Sequence, residues 1–138
     1  MRKLKLIVGG LICAGCLLTP VLSLANYKII NTQPIHFAKG TSGATLHNAV
    51  SGADVKDYTL VAKAGQTMRV SMKSSAHHPY FNVINPANET VFNGSMREGD
   101  FEQRLATGGK YTVRVYQMGG ARDEGKTSPY ELTLKIIH

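Results

Sequence analysis

The chain has 138 residues, of which 43% are hydrophobic, 7% aromatic and 18% charged, and its formal net charge is +7. That length suits one folded domain rather than two. Its Lys and Arg residues are scattered, with no basic run and no interleaved aromatics, which argues against nucleic acid as a partner, and nothing after the N-terminal apolar run is apolar enough to span a membrane.

The N-terminus reads as an export signal. Arg2, Lys3 and Lys5 precede an apolar run over residues 6–18, and Ser23-Leu24-Ala25 places small residues where a signal peptidase reads. Residues 1–25 are therefore expected to be a leader, and residues 26–138 a single exported domain. Three of the 16 Lys and Arg leave with the leader, so 13 face 9 Asp and Glu and the formal charge drops to +4. That mild excess leaves an acidic protein cleft or an anionic glycan open as partner classes. Both cysteines, Cys13 and Cys16, lie in the leader, so the exported product is expected to have no thiol, disulfide or Cys metal site. Ala14-Gly15-Cys16 also fits the small-residue end of a lipidation signal. Cys13 at the usual aliphatic position and Leu17-Leu18 in place of a polar spacer weigh against it. Either route leads out of the cytoplasm, and to the periplasm in a bacterium with two membranes.

Along the exported segment, residues 27–30 read as an edge piece, and Ile35-His36-Phe37 as the first clear strand after Pro34. A loop over residues 39–43 leads to a strand over 45–50 that ends at Ser51-Gly52. A connection over 52–56, which includes Asp54 and Lys56, enters a strand over 57–62 with Tyr58, Leu60 and Ala62 on its inward face. Ala64-Gly65-Gln66 turns the chain, and Met68, Val70 and Met72 then alternate with Arg69, Ser71 and Lys73, which predicts a hairpin. Short strands follow over 80–84, 90–93 and 101–105, separated by turn signals. Tyr111, Val113 and Val115 alternate with Thr112, Arg114 and Tyr116 between a Gly108-Gly109-Lys110 turn and a polar loop over 119–126. A last strand covers 130–137. Outside the leader no apolar period of 3.6 residues is sustained. Eight or nine short strands with turns between them predict an all-β fold, an antiparallel β-sandwich, with a closed barrel as runner-up.

The chemistry-bearing residues do not assemble an enzyme. His77-His78 would point to opposite sides of an extended chain and have no third ligand at a recognisable spacing, so no metal site is expected. Asp100 and Glu102 would share a strand face, which suits exposed carboxylates as well as an acid/base pair, and no nucleophile elbow arranges Ser, His and Asp. No cofactor is implied. Asn88-Glu89-Thr90 and Asn93-Gly94-Ser95 match the glycosylation sequon, a coincidence in a bacterial export. Arg122 is a guanidinium presented by a loop, after Gly119-Gly120 and beside Asp123-Glu124, with pairing to its own neighbouring acids as the plain alternative. The alternation places Tyr111 in the core rather than on display.

Four blocks in order resemble one family. They are Phe37-Ala38-Lys39-Gly40-Thr41-Ser42-Gly43-Ala44; Asp57-Tyr58 with Ala62-Lys63-Ala64-Gly65-Gln66-Thr67; Tyr80-Phe81-Asn82-Val83; and Gly109-Lys110-Tyr111-Thr112-Val113-Arg114-Val115-Tyr116-Gln117-Met118. From about Ile35 to Ile137 the chain resembles the bacterial periplasmic lysozyme inhibitors of the g-type and i-type groups, the g-type being preferred. The resemblance implies an antiparallel β-sandwich whose rigid loop plugs a lysozyme cleft, with lysozyme as the protein partner. A non-catalytic module that binds an envelope polysaccharide is the alternative. The family's Ser-Gly-x-Tyr loop falls on Gly108, Gly109, Lys110 and Tyr111, with Gly108 in the serine's place. Its Arg-Asn-x-Ala-Arg loop falls on residues 119–123, where Gly119 and Asp123 replace the arginines and Arg122 lies one place out of step. A tyrosine carried by some g-type members matches Ala53. The two loops are expected at opposite ends of the sandwich, and the preferred lysozyme-binding end combines Gly119, Gly120 and Arg122 with Asp54 and Lys56.

Overall fold

The computed structural model describes residues 28–76 and 79–138. The expected leader with Cys13 and Cys16, and the His77-His78 pair, lie outside the described residues. The described chain forms β1 (Lys28–Pro34), β2 (Gly43–Ser51), β3 (Asp54–Ala62), β4 (Thr67–Lys73), β5 (Pro79–Ile84), β6 (Thr90–Asn93), β7 (Phe101–Arg104), β8 (Gly109–Gln117), the short helix α1 (Gly119–Asp123) and β9 (Thr127–Ile137). One sheet has the order β2-β9-β4-β7, the other β1-β3-β8-β5-β6. Every pairing is antiparallel except β1 with β3. The all-β sandwich expected from the sequence is the architecture observed.

The core forms where the inward residues of the two sheets meet. Tyr58, Leu60 and Ala62 of β3, Phe81 and Val83 of β5, and Tyr111, Val113 and Val115 of β8 come from the five-stranded sheet, and Met68, Val70, Leu132, Leu134 and Ile136 from the other. Burying each large apolar side chain contributes about 1.5–3 kcal/mol. Phe81 stacks on Phe92 with ring centroids 5.0 Å apart, and Phe101 meets Phe92 edge-on at 5.7 Å.

The structure corrects four expectations. The predicted hairpin is a corner between sheets, because β3 and β4 belong to opposite sheets. Residues 63–66 close a local turn, with the Gln66 amide donating to the Lys63 carbonyl at 3.2 Å and the Lys63 amide to Gln66 Oε1 at 2.7 Å. The same turn chemistry serves a hairpin or a corner, so only the pairing decides. Leu105 pins the corner, accepting from the Gly65 amide at 2.8 Å and donating to the Gln66 carbonyl at 2.7 Å. The first strand is Lys28–Pro34 rather than residues 35–37, and all seven of its residues are exposed, so it offers no alternation to read. Ile35 and Phe37 instead pack on the core as the chain crosses from one sheet to the other. β3 already begins at Asp54, which reduces the 52–56 connection to a turn at Gly52-Ala53. The loop over 119–126 contains α1.

Candidate functional site at one end of the sandwich

β8 spans nine residues, about 26 Å at roughly 3.3 Å per residue, so the two glycine-marked loops sit at opposite ends. At its C-terminal end the chain enters α1. Two adjacent glycines are poor helix formers; the helix is held by its buried Ala121 and by how it stops. Gly125 takes the left-handed conformation at φ +68°. Its amide donates to the Arg122 carbonyl at 3.2 Å and the Lys126 amide to the Ala121 carbonyl at 3.0 Å. This is the paired closure of a Schellman motif, and it satisfies carbonyls that a five-residue helix would otherwise leave open.

Gln117 fastens this loop to the rest of the molecule. Its side chain is fully buried; Nε2 donates to the Lys126 carbonyl at 2.8 Å and reaches the Gly52 carbonyl at 3.5 Å, while Oε1 accepts from Ser128 Oγ. The Gly52 amide donates to the same Lys126 carbonyl at 2.9 Å. Gly52 stands at φ +54°, and a Cβ there would lie 3.4 Å from Gly125 Cα and 3.7 Å from the Arg122 carbonyl oxygen. Those are ordinary contact distances, so it is the left-handed backbone that favours glycine in the β2–β3 turn. The Gly119–Asp123 helix loop and the Gly52-Ala53 turn that leads to Asp54 are in direct contact.

The charged groups here are held by surface contacts. Arg122 pairs with Asp123, with Nε 2.9 Å and Nη2 2.8 Å from Oδ1. Lys126 lies 3.4 Å from Glu124. Lys56 Nζ donates to Asn48 Oδ1 at 2.9 Å, Asn48 Nδ2 donates to the Tyr58 hydroxyl at 3.2 Å, and that hydroxyl meets the buried Tyr130 hydroxyl. Burial, reinforced by the Tyr58 contact, pushes the Tyr130 phenol far above its ordinary value. Asp54 stands at the rim, opposite Lys28 in the β1–β3 register. Beside α1 an open depression of about 1030 Å³ is lined by Tyr80, Met96, Met118, Gly119, Gly120 and Lys126, among others.

At the opposite end residues 106–108 and Lys110 are exposed, and the glycines are closely approached by their neighbours. A Cβ on Gly108 would meet the Ala64 amide nitrogen at 3.2 Å and the Ala62 carbonyl oxygen at 3.3 Å; one on Gly109 would meet the Pro86 ring at 3.0 Å. Tyr111 is buried and its hydroxyl donates to the Thr107 carbonyl at 2.6 Å, tying down the β7–β8 turn. Only Lys110 of the two in-strand residues before Tyr111 is exposed. The structure therefore brings Gly119, Gly120 and Arg122 to the same end as Asp54 and Lys56, and leaves Gly108, Gly109, Lys110 and Tyr111 at the other. Sequence reasoning missed Gln117, Ser128, Gly52 and Gly125 as the parts that hold the first end together. A glutamine at an inward position of an alternating strand was the one available signal.

The outer face of the five-stranded sheet carries one buried charge. Asp57, 6% exposed, takes a bidentate contact from Arg114, with Nε to Oδ1 at 2.8 Å and Nη2 to Oδ2 at 2.9 Å. This pair raises the guanidinium above its ordinary value. Among the described residues no group of three or more His, Cys, Asp or Glu could hold a metal ion.

No protein-family model matches the chain. The periplasmic inhibitor of g-type lysozyme from Aeromonas hydrophila is 37% identical in sequence and superposes with a TM-score of 0.71, covering 79% of this chain and 97% of its own. This chain belongs to the family of periplasmic inhibitors of g-type lysozyme. An inhibitor of g-type lysozyme from Escherichia coli strain K12 is 26% identical over 124 residues, 87% of this chain and 92% of the relative. A mutant of an Escherichia coli periplasmic inhibitor, solved by crystallography, is 27% identical with a TM-score of 0.63 over 77% of this chain and 97% of its own. Gly119 and Asp123 are the first and last residues of α1, and Arg122 is the guanidinium that this helix carries. Gly108 lies where a side chain would press on the backbone of residues 62–64.

Proposed function

We propose that this chain is a non-catalytic periplasmic inhibitor of g-type lysozyme, exported by a leader over residues 1–25, and that it acts through the end formed by α1 and the β2–β3 turn. The observation that carries the reading is the match to the Aeromonas hydrophila inhibitor over almost the whole of that protein. The geometry supports the choice of end, because there a loop is fastened from beneath while Asp123, Glu124 and Lys126 stay exposed and Arg122 part-exposed. A loop fixed before binding loses little entropy on insertion.

A glycoside hydrolase works with carboxyl groups flanking the scissile bond. A guanidinium inserted among them forms a charge-assisted pair in a poorly solvated slot, excludes the sugar and holds the acid in its ionised state. Arg122 pairs with the exposed Asp123, and in this reading a cleft carboxylate takes that acid's place. Lys56, steadied by Asn48, and Asp54 form the rim beside it, and Gly119 and Gly120 keep side-chain bulk off the leading edge.

The test is a turbidity assay of cell-wall lysis with the protein purified after export and lysozymes of g-, i- and c-type. Saturable inhibition of the g-type enzyme is expected. A well-folded protein that leaves g-type lysozyme fully active would overturn the reading.

A further inference from the structure

Beyond α1, on the outer face of the five-stranded sheet, a groove of about 350 Å³ is lined by Ile29, Val55, Asn82, Asn93, Ser95, Arg114, Tyr116 and Met118. Its polar floor is built from fixed groups. Asn82 Oδ1 accepts from the Gly94 amide at 3.1 Å and from the Tyr116 hydroxyl at 2.8 Å. Asn93 Oδ1 accepts from the Ser95 amide at 3.1 Å, from Ser95 Oγ at 2.7 Å and from the Tyr116 hydroxyl at 3.3 Å. Backbone amides can only donate, so both carboxamides are locked with oxygen toward the protein and nitrogen toward the groove. Neither Nδ2 has a hydrogen-bond partner among the described residues, and neither does Arg114 Nη1, because Asp57 takes only Nε and Nη2.

The groove thus offers three sets of donors with no net charge. Asp57 cancels the guanidinium, so an anion would gain little from Arg114 and would meet the carboxylate beside it; a neutral acceptor suits the floor better. The walls are aliphatic, with Ile29 and Met118 exposed and Val55 buried beneath. Ser95 Oγ, which donates to Asn93, keeps lone pairs for a hydroxyl donor.

We propose that this groove binds the acetamido group of an N-acetylated amino sugar. The carbonyl oxygen takes the Asn82, Asn93 and Arg114 donors, the acetyl methyl and the C–H face of the ring lie against Ile29, Val55 and Met118, and a ring hydroxyl donates to Ser95. A cavity of this size is at the small end of ligand sites and accommodates a single pyranose. The site stands independently of lysozyme inhibition, although Met118 and Ser95 border both this groove and the depression beside α1.

The experiment is a titration followed by NMR at the Asn side-chain amides and the Met methyls. The protein purified after export is titrated with N-acetylglucosamine and its trimer, with glucose and glucosamine as ligands lacking the acetyl group. Saturable shifts at the Asn82 and Asn93 amides and the Met118 methyl with the acetylated sugars, and none with the other two, are expected. Asn82→Asp and Asn93→Asp keep every internal contact, since those all go to Oδ1, but replace the outward donor by an acceptor; each is expected to weaken the sugar by about tenfold or more while lysozyme inhibition persists. No saturation by the acetylated sugars, or equal shifts with glucose, would overturn the proposal. So would protection of these amides by lysozyme alone, which would assign the groove to the inhibitor's protein interface.

Discussion

The two ends of the sandwich are built from the same materials, a pair of glycines flanking a strand, and come out opposite. At the Gly108 end a Cβ on either glycine would crowd neighbouring backbone or the Pro86 ring, and Gly109 stands at φ +139°, while the tyrosine that follows turns inward to tie its own turn. At the α1 end Gly119 has open space around it, and the contacts that immobilise the loop run beneath it, through Gln117 and Gly52. The first end is closely packed; the second is presented. A glycine pair in a sequence therefore marks close packing or presentation, and only its contacts tell which.

Removing the fastening should do most damage. Gln117→Leu leaves the Lys126 carbonyl and the Ser128 hydroxyl buried without this partner, and urea unfolding should report a loss of about 2–3 kcal/mol. Gln117→Glu keeps the Ser128 contact but sets a carboxylate against the Lys126 carbonyl, and both variants should lose inhibition per folded molecule. If both variants unfold and inhibit as the parent does, Gln117 is not what holds the presenting end.

At the Gly108 end the effect should be smaller and confined to stability. Tyr111→Phe deletes the hydrogen bond to the Thr107 carbonyl, worth about 1 kcal/mol. The midpoint in urea should fall accordingly while lysozyme inhibition by the folded fraction stays unchanged; a drop in inhibition at equal folded fraction would mean that this end touches the enzyme.

The smallest effect belongs to a side strand remote from both loops. Arg69 holds the Glu102 carboxyl below its ordinary value of 4.5, through a hydrogen bond and then its charge. A carboxyl lowered on folding stabilises the native state above its unfolded value, and the contribution disappears as pH falls through the folded one. Both groups are exposed, so Glu102→Gln should only slightly flatten the acid side of a stability profile below about pH 5. A pronounced change there would show that this pair is more than a surface contact.

Much of this was legible in the chain. Period-two alternation identified the inward faces of β3, β4 and β8, because one buried and one wet face impose it. β1 was legible only as an edge piece over residues 27–30, since its seven residues are all exposed and give no alternation to extend it, and the sheet change between β3 and β4 was not legible, since turn residues specify a reversal and not a partner. Arg122 and the meeting of its loop with the β2–β3 turn followed from strand ends. What holds that meeting, a buried amide with partners at Gly52, Lys126 and Ser128, depends on contacts between distant positions that no local pattern encodes. α1 was hidden for a related reason: its stability comes from a C-terminal closure and one buried alanine, not from helix-forming residues.

The central claim is that inhibition runs through the α1 end, and its most direct test is the g-type lysozyme inhibition constant for Arg122→Ala beside that for Lys110→Ala. Both remove one cation, part-exposed at Arg122 and exposed at Lys110, so loss of charge alone cannot separate them. Arg122→Ala should weaken inhibition by about tenfold or more, the value of a charge-assisted contact in a desolvated slot, and Lys110→Ala should leave it within about twofold of the parent. Loss of inhibition with Lys110→Ala and none with Arg122→Ala would contradict the account and move the inhibitory surface to the Gly108 end.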